Sequence, residues 1–337
     1  MLLKITHETE LTYDTTISES VVELRMFPRQ ESTQHRLSFE LKLQPYSTVN
    51  SYFDWLGNTV HTFNVNHSHE KLRVVATSVV ETETMRIAPE SLPDTWPLPA
   101  SSNYKLYDFL QFDGPIVDSP ELRELAKELH ADDGIPVGEL AMRMIRLINS
   151  RFEYQKGITT AASPVTDTLK LGKGVCQDFT HLMIALARAM KMPARYVSGL
   201  LHGDTANPDG LRGFTQSHAW CELYFPSHGW IGFDPTNNCT AGEHFVKVAV
   251  GRDYRDVPPN KGMYRGQAKE TMLVNVRTDA LNSIPNDLFP EKIIPLGVAT
   301  TNGASLPFRR FEGHHQEHAM QQQQEKNAMM QMQQQQQ

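Results

Sequence analysis

The chain has 337 residues, a formal net charge of −7 at pH 7, 39% hydrophobic and 21% charged side chains. Such a length predicts about two domains, and the acidic balance argues against a nucleic-acid partner held through phosphates. No run reaches the roughly eighteen apolar residues of a membrane-spanning helix, and the start, Met1 to Glu8, turns polar too early for a secretion signal. Cys176, Cys221 and Cys239 are too few and too odd in number for a disulfide framework. The expectation is a cytoplasmic protein with free thiols and no membrane partner.

The first stretch reads as β structure. Leu37, Phe39, Leu41 and Leu43 alternate with polar neighbours, the period of a half-buried strand. Leu3, Ile5, Leu11 and Tyr13 share one parity, interrupted by His7 and Thr9. Gly57-Asn58 is a turn signal before Phe63 and Val65, and residues 72–80 are rich in Val. Short strands separated by turns predict a sandwich-like domain over residues 1–88. Pro89, Pro93, Pro97 and Pro99 then mark a linker over 89–115, because proline removes a donor and disfavours helix before it.

Helical periodicity follows. Ser119-Pro120-Glu121 reads as an N-cap, a first-turn proline and an acidic first turn, with Leu122, Leu125, Ala126 and Leu129 on one face. A second helix carries Leu140, Met144, Leu147 and Ile148. A third runs from about Val175 to Met190 and stops before Pro193. Strands are expected at 195–201, 217–225, 230–234 and 272–277. Strands, then helices, then a sheet define an α+β fold, with a core over 116–280. Residues 281–337 lose regularity and end in a Gln-rich tail, the composition of a disordered segment.

One cysteine carries a chemical signal. Cys176 follows Gly172 and Gly174 at the start of the third helix, where unpaired N–H groups and the helix dipole favour thiolate, the nucleophilic form. A base comes from the strand Ser217 to Phe225, on which His218, Trp220, Glu222 and Tyr224 share a face and Cys221 falls with the apolar set. The next strand ends at Asp234. If Tyr224 faces Trp230 across the hairpin, Trp220 faces Asp234 and His218 lies diagonally beside it. A one-residue slip would send Asp234 to the other face, so the hairpin must close through Phe225 to Gly229 or an equivalent bulge. Asp234 would then hold the imidazole in one tautomer.

The Gly174-Val-Cys-Gln-Asp-Phe-Thr-His-Leu run, the Pro193-to-Gly199 strand, Ser217-His-Ala-Trp and Gly232-Phe-Asp-Pro-Thr-Asn-Asn resemble the bacterial transglutaminase-like superfamily. Leu24-Arg-Met-Phe-Pro-Arg29 and Phe53-Asp-Trp-Leu-Gly-Asn58 resemble its accompanying N-terminal β domain. The resemblance runs from residue 1 to about 278. It implies a papain/transglutaminase-like core: a helix bearing the cysteine, packed on an antiparallel sheet bearing His and Asp. It also implies Cys176 as nucleophile, His218 as base and Asp234 as orienting acid. The superfamily includes crosslinking acyltransferases, peptidases, amidases and inactive members, so the fold alone does not choose the reaction.

The reading favoured here is a thiol-dependent amide hydrolase acting on a peptide or protein amide through a thioester. Protein-glutamine acyl transfer and a non-catalytic binding module are the alternatives. The cleft is expected to draw on Tyr154 (a candidate second oxyanion donor), Gln177, Asp178, Trp220, Arg252, Asp253 and Tyr254. No cofactor is expected. The calcium dependence of animal transglutaminases does not carry over, since no ligand set matches. His181, His202, His228 and His244 show no metal spacing and read as surface or structural.

Overall fold

A computed structural model describes residues 1–84, 88–99, 103–203, 211–213, 217–286, 288, 291–295 and the backbone of 308–312. The N-terminal strands are β1 (Leu2–Ile17), β2 (Glu19–Leu24), β3 (Gln34–Gln44), β4 (Val49–Phe53), β5 (Thr59–Val65) and β6 (His69–Thr82). Helices α1 (Pro120–Lys127) and α2 (Val137–Arg151) follow. After them come β7 (Glu153–Tyr154), α3 (Val165–Leu171), β8 (Lys173–Gly174) and α4 (Cys176–Ala189). The chain continues through β9 (Ala194–Leu201), β10 (Ser217–Phe225), β11 (Gly229–Asp234), β12 (Cys239–Thr240) and β13 (Phe245–Gly251). It closes with β14 (Asn260–Arg265), β15 (Glu270–Ala280), β16 (Lys292–Pro295) and β17 (Phe308–Glu312). Among the described residues no helix is long and apolar enough to cross a membrane.

The N-terminal module is a sandwich of two five-stranded sheets, ordered β15-β1-β6-β3-β16 and β17-β14-β2-β5-β4. Strand β1 explains its own interrupted pattern. Leu11 and Tyr13 pack between the two sheets, whereas Leu3 and Ile5, on the same face, pack with Leu200, Val246 and Val248 of the core. His7 and Thr9 lie at the seam between the two clusters, buried, and Thr9 Oγ1 accepts a hydrogen bond from Asn260 Nδ2 at 3.0 Å.

Residues 260–280, expected to belong with the core, instead return to the sandwich. Strand β14 pairs with β2 and β15 pairs with β1 along eleven residue pairs from Leu3↔Ala280 to Tyr13↔Glu270. Of residues 281–337, expected to be irregular, β16 and β17 are strands; the Gln-rich end lies outside the described residues.

The second module is helices packed on the antiparallel sheet β12-β11-β10-β9-β13. The cap at α1 forms as its sequence indicates, with Ser119 Oγ accepting from Leu122 N–H. Helix α4 is buried on all sides from Asp178 to Arg188, the condition of a helix enclosed by a core. Its companions there include Ala141, Met144 and Ile145 of α2 and Ala219, Cys221 and Leu223 of β10.

The modules meet along the open edge of β13, where two side-chain amides stand in for a neighbouring strand. Gln34 Nε2 donates to Lys247 O at 2.8 Å and its Oε1 accepts from Lys247 N–H at 2.7 Å. Asn58 does the same at Val250, donating to its O and accepting from its N–H, both at 2.8 Å. The turn that presents Asn58 needs Gly57, whose φ of +74° suits glycine. Beside these amides, Glu222 is buried between Arg195 and Lys247, and Lys247 also pairs with Glu31 at 2.6 Å. Burial works against the Glu222 carboxylate, but Arg195 and then Lys247 outweigh it and hold its pKa down to about 2.

Asn58→Ala leaves the buried N–H and C=O of Val250 without partners. Stability is expected to fall by about 2–6 kcal/mol, since each of the two orphaned buried groups costs about 1–3 kcal/mol. Urea unfolding of the purified chain measures it.

Candidate active site

Local structure around Cys176 is set by glycines and one buried carboxylate. Gly172 ends α3 in the left-handed region, φ +65°. Gly174 runs against Asp178, where an added Cβ would lie 2.7 Å from the Asp178 Cβ. Val175 is the N-cap of α4 and has no side-chain acceptor. Asp178 supplies the missing anchor from the third helical position: its Oδ2 accepts from Val175 N–H at 2.8 Å and from Thr159 Oγ1 at 2.7 Å. Burial pushes its pKa up to about 6 against the pull of those two bonds. Gln177 Nε2 donates to Ala161 O, fixing the neighbouring loop. Cys176 is left partly buried at the first position of the helix.

The imidazole arrives by sheet register. Tyr224 pairs with Trp230, as the hairpin geometry requires, and Phe225 pairs with Gly229, so only residues 226–228 remain in the turn. In that register His218 Nε2 donates to Asp234 Oδ2 at 2.7 Å with both side chains fully buried. Burial opposes the imidazolium, but the Asp234 charge and hydrogen bond, aided by Cys176, outweigh it and raise the His218 pKa to about 10. The Cys176 thiol is the second acidic partner of the ring. His218 Nδ1 has no partner of good geometry among the described residues, which leaves it available to that thiol. Gly213 lies over this nitrogen, where a Cβ would approach to 2.6 Å.

Asp234 is saturated. Besides His218, its Oδ2 accepts from Asn237 Nδ2 at 2.6 Å, and its Oδ1 accepts from Thr236 N–H at 2.9 Å and Asn237 N–H at 3.3 Å. Asn149 Nδ2 donates to Thr236 O and ties this turn to α2. Asn237 also grips the backbone of Arg212, its Oδ1 accepting from Arg212 N–H at 2.6 Å and its Nδ2 donating to Arg212 O at 3.2 Å. The sequence pattern does not single out Asn237 as a site residue, although an amide three residues after a strand-ending Asp-Pro is itself a turn signal.

Tyr154 sits beside the cysteine loop through the parallel pairing of β7 with β8, opposite Gly174. Burial and then the nearby Cys176 push its pKa far up. Tyr196, not expected at the site, is buried and feels the same thiol. The remaining expected cleft residues hold structure instead. Trp220 is buried on the sheet, packed edge-on to Phe245 and stacked beside His218. It demands glycine at 199, where a Cβ would come within 2.4 Å of the indole. Arg252 pairs with Asp256 and lies over the Trp55 ring. Asp253 is buried against Arg255, and Tyr254 packs on Tyr196 while its N–H donates to His181 Nε2. Burial pushes the His181 pKa down to about 4, so it stays neutral and accepts that bond.

A buried cysteine helix on an antiparallel sheet, with Cys, His and Asp converging at its start, is the architecture of a transglutaminase-like core. The chain belongs to the transglutaminase-like superfamily, matched by residues 123–235, and residues 3–81 match the bacterial transglutaminase-like N-terminal region. An uncharacterised protein of Mycobacterium leprae is 31% identical over 280 residues, covering 83% of this chain and 99% of that protein. A protein-glutamine gamma-glutamyltransferase of Pseudomonas aeruginosa is 34% identical over 162 residues, 45% of this chain and 24% of that protein. The crystal structure of a provisionally assigned cysteine protease from Cytophaga hutchinsonii shares the fold. Its TM-score is 0.65 at 23% identity, over 86% of this chain and 94% of that one.

Asp234→Asn removes the charge that outweighs burial at His218. The His218 pKa is expected to drop from about 10 to below the ordinary 6.5, read by NMR titration of its ring proton. Linkage gives the sign for stability. The folded pKa is raised, so the pair's contribution is full below about pH 6.5 and fades as pH climbs toward 10.

Proposed function

We propose that the chain is a thiol-dependent amide hydrolase in which Cys176, His218 and Asp234 act as nucleophile, acid–base group and orienting carboxylate. The buried His218–Asp234 hydrogen bond beside Cys176 carries this reading. In the first step the Cys176 thiolate forms an S–C bond to the substrate carbonyl carbon. His218 then gives its proton to the leaving nitrogen as the C–N bond breaks, releasing an amine and a thioester. The Cys176 N–H, at the first position of α4 and so outside the helix's own ladder, is placed to donate to the oxyanion, a contribution of about 2.7–4 kcal/mol in comparable sites. Tyr154 is the proposed second donor. Water, deprotonated by His218, resolves the thioester to a carboxylic acid and restores the thiolate–imidazolium pair.

Hydrolysis is preferred over transfer because transfer needs an amine-admitting, water-excluding channel, whereas the partly buried Cys176 needs only water as acceptor. The second reading, protein-glutamine acyl transfer, is favoured by the 34% identity to the Pseudomonas gamma-glutamyltransferase. It differs only in the acceptor, an amine in place of water. Cytoplasmic placement is part of the same proposal and is supported by three free cysteines.

The other two thiols provide internal contrast. Burial pushes the Cys221 thiol far up, and burial with Asp234 pushes Cys239 up to about 12. With iodoacetamide at pH 6, Cys176 is expected to alkylate about tenfold or more faster than a small-molecule thiol, and His218→Ala to abolish that advantage. A solution-like rate would remove the catalytic reading and leave a binding module. Incubation with dimethylated casein and a dansylated primary amine then separates the readings. Ammonia release without dansyl incorporation supports hydrolysis; incorporation supports transfer.

A further inference from the structure

We infer that Arg212 is the substrate-recognition cation of this cleft, and that the acyl donor it admits carries a carboxylate near the scissile amide. This rests on the proposed thiol chemistry at Cys176 and names the substrate class for it.

Position is the first argument. The Arg212 guanidinium lies over the Tyr154 ring, 5.7 Å from its centroid, and Tyr154 borders Cys176 through the β7–β8 pairing. A substrate carbonyl at the thiol therefore has Tyr154, and the guanidinium over its ring, among its neighbours. The Tyr154 hydroxyl feels both groups, Cys176 raising its pKa and Arg212 lowering it.

The second argument is the missing counter-ion. Among the described residues no carboxylate forms an ion pair with Arg212, and its side chain is exposed. The other arginines of this module's sheet and loops are committed. Arg195 holds Glu222, Arg252 holds Asp256, and Arg255 holds Asp113 and Asp253. The carboxylates that share the Tyr154 neighbourhood with the thiol are not free to answer it, because Asp178 and Asp234 are buried and already accept hydrogen bonds from their own neighbours.

The third argument is rigidity. Asn237 grips the Arg212 backbone through both its N–H and its O, and the same amide holds Asp234. The backbone that carries the cation is thus anchored to the group that orients His218, which lowers the ordering cost of the loop. A guanidinium with a free planar fork is suited to a carboxylate, which it meets through two parallel hydrogen bonds.

Two reagents of nearly equal size and opposite charge character test this on the full-length protein. Second-order rates of Cys176 with iodoacetate and with iodoacetamide are measured at pH 7 with the site mapped, in wild type, Arg212→Gln and Arg212→Lys. The iodoacetate-to-iodoacetamide ratio is expected to fall about three- to tenfold in Arg212→Gln, the effect of losing one partly screened charge. Arg212→Lys should fall between, and added salt should shrink the wild-type ratio. Equal ratios in wild type and Arg212→Gln overturn the proposal. A solution-like wild-type rate with iodoacetamide instead sinks the catalytic reading of Cys176, whatever the ratio, so the two failures are distinct.

Discussion

Everything at the site depends on keeping a fully buried carboxylate charged next to a fully buried imidazole. Removing either partner from water is expensive, and an isolated buried charge neutralises itself instead. Asp234 meets that demand with four hydrogen bonds, one of them from His218. The arrangement is tolerable only because the turn after β11 folds Thr236 and Asn237 back onto the carboxylate. A sheet slipped by one residue would place the same carboxylate among Phe225 and Phe233, on the apolar side of the sheet. The register of the β10–β11 hairpin is therefore enforced by electrostatics at one end and by apolar packing against α4 along its length.

The nucleophile is positioned by a different set of contacts. Helix α4 is buried on every side, so its direction is fixed by packing, but its first turn must find hydrogen-bond partners inside the core. Val175 cannot provide one. Asp178 does, and through Thr159 and Val175 it binds the loop, the helix start and the segment after β7 into one unit. Gly174 is required where that unit closes, because any side chain there would strike the Asp178 Cβ. Cys176 thus emerges from a rigid turn, while its side chain still reaches solvent.

What the sequence makes legible follows the range of the interactions involved. His218 and Asp234 can be placed together because two strands joined by a short turn have one register that keeps their apolar sets on the same side; Cys176 joins them only through its helix-start position and the family resemblance. The return of β14 and β15 to the sandwich is not legible. Met272 and Val276 mark a strand by alternation, yet nothing local says that the strand pairs with residues at the opposite end of the chain. Arg252, Asp253 and Tyr254 are expected in the cleft on resemblance alone. Their charges are satisfied within four residues or by Asp113, so they form a self-contained loop. Asn237 is hidden for the reverse reason: half of its role exists only once Arg212 is brought beside it.

The N-terminal module contributes to the site through the core sheet, and its Leu56 packs against the cluster that holds Trp220. Strand β13 is the edge of the core sheet, and an uncovered edge is both unstable and adhesive. Gln34 and Asn58 occupy it with amide pairs at Lys247 and Val250, while β1 and β6 cover its apolar flank through Leu3, Ile5 and Val80. Strand β13 in turn pairs with β9, and β9 pairs Gly199 with His218. The sandwich therefore acts on the imidazole through two successive strand pairings and the indole of Trp220 wedged over Gly199. Loosening the domain interface should be felt first as disorder in the imidazole, before any loss of the helix that carries the thiol, because α4 is held by a separate apolar cluster.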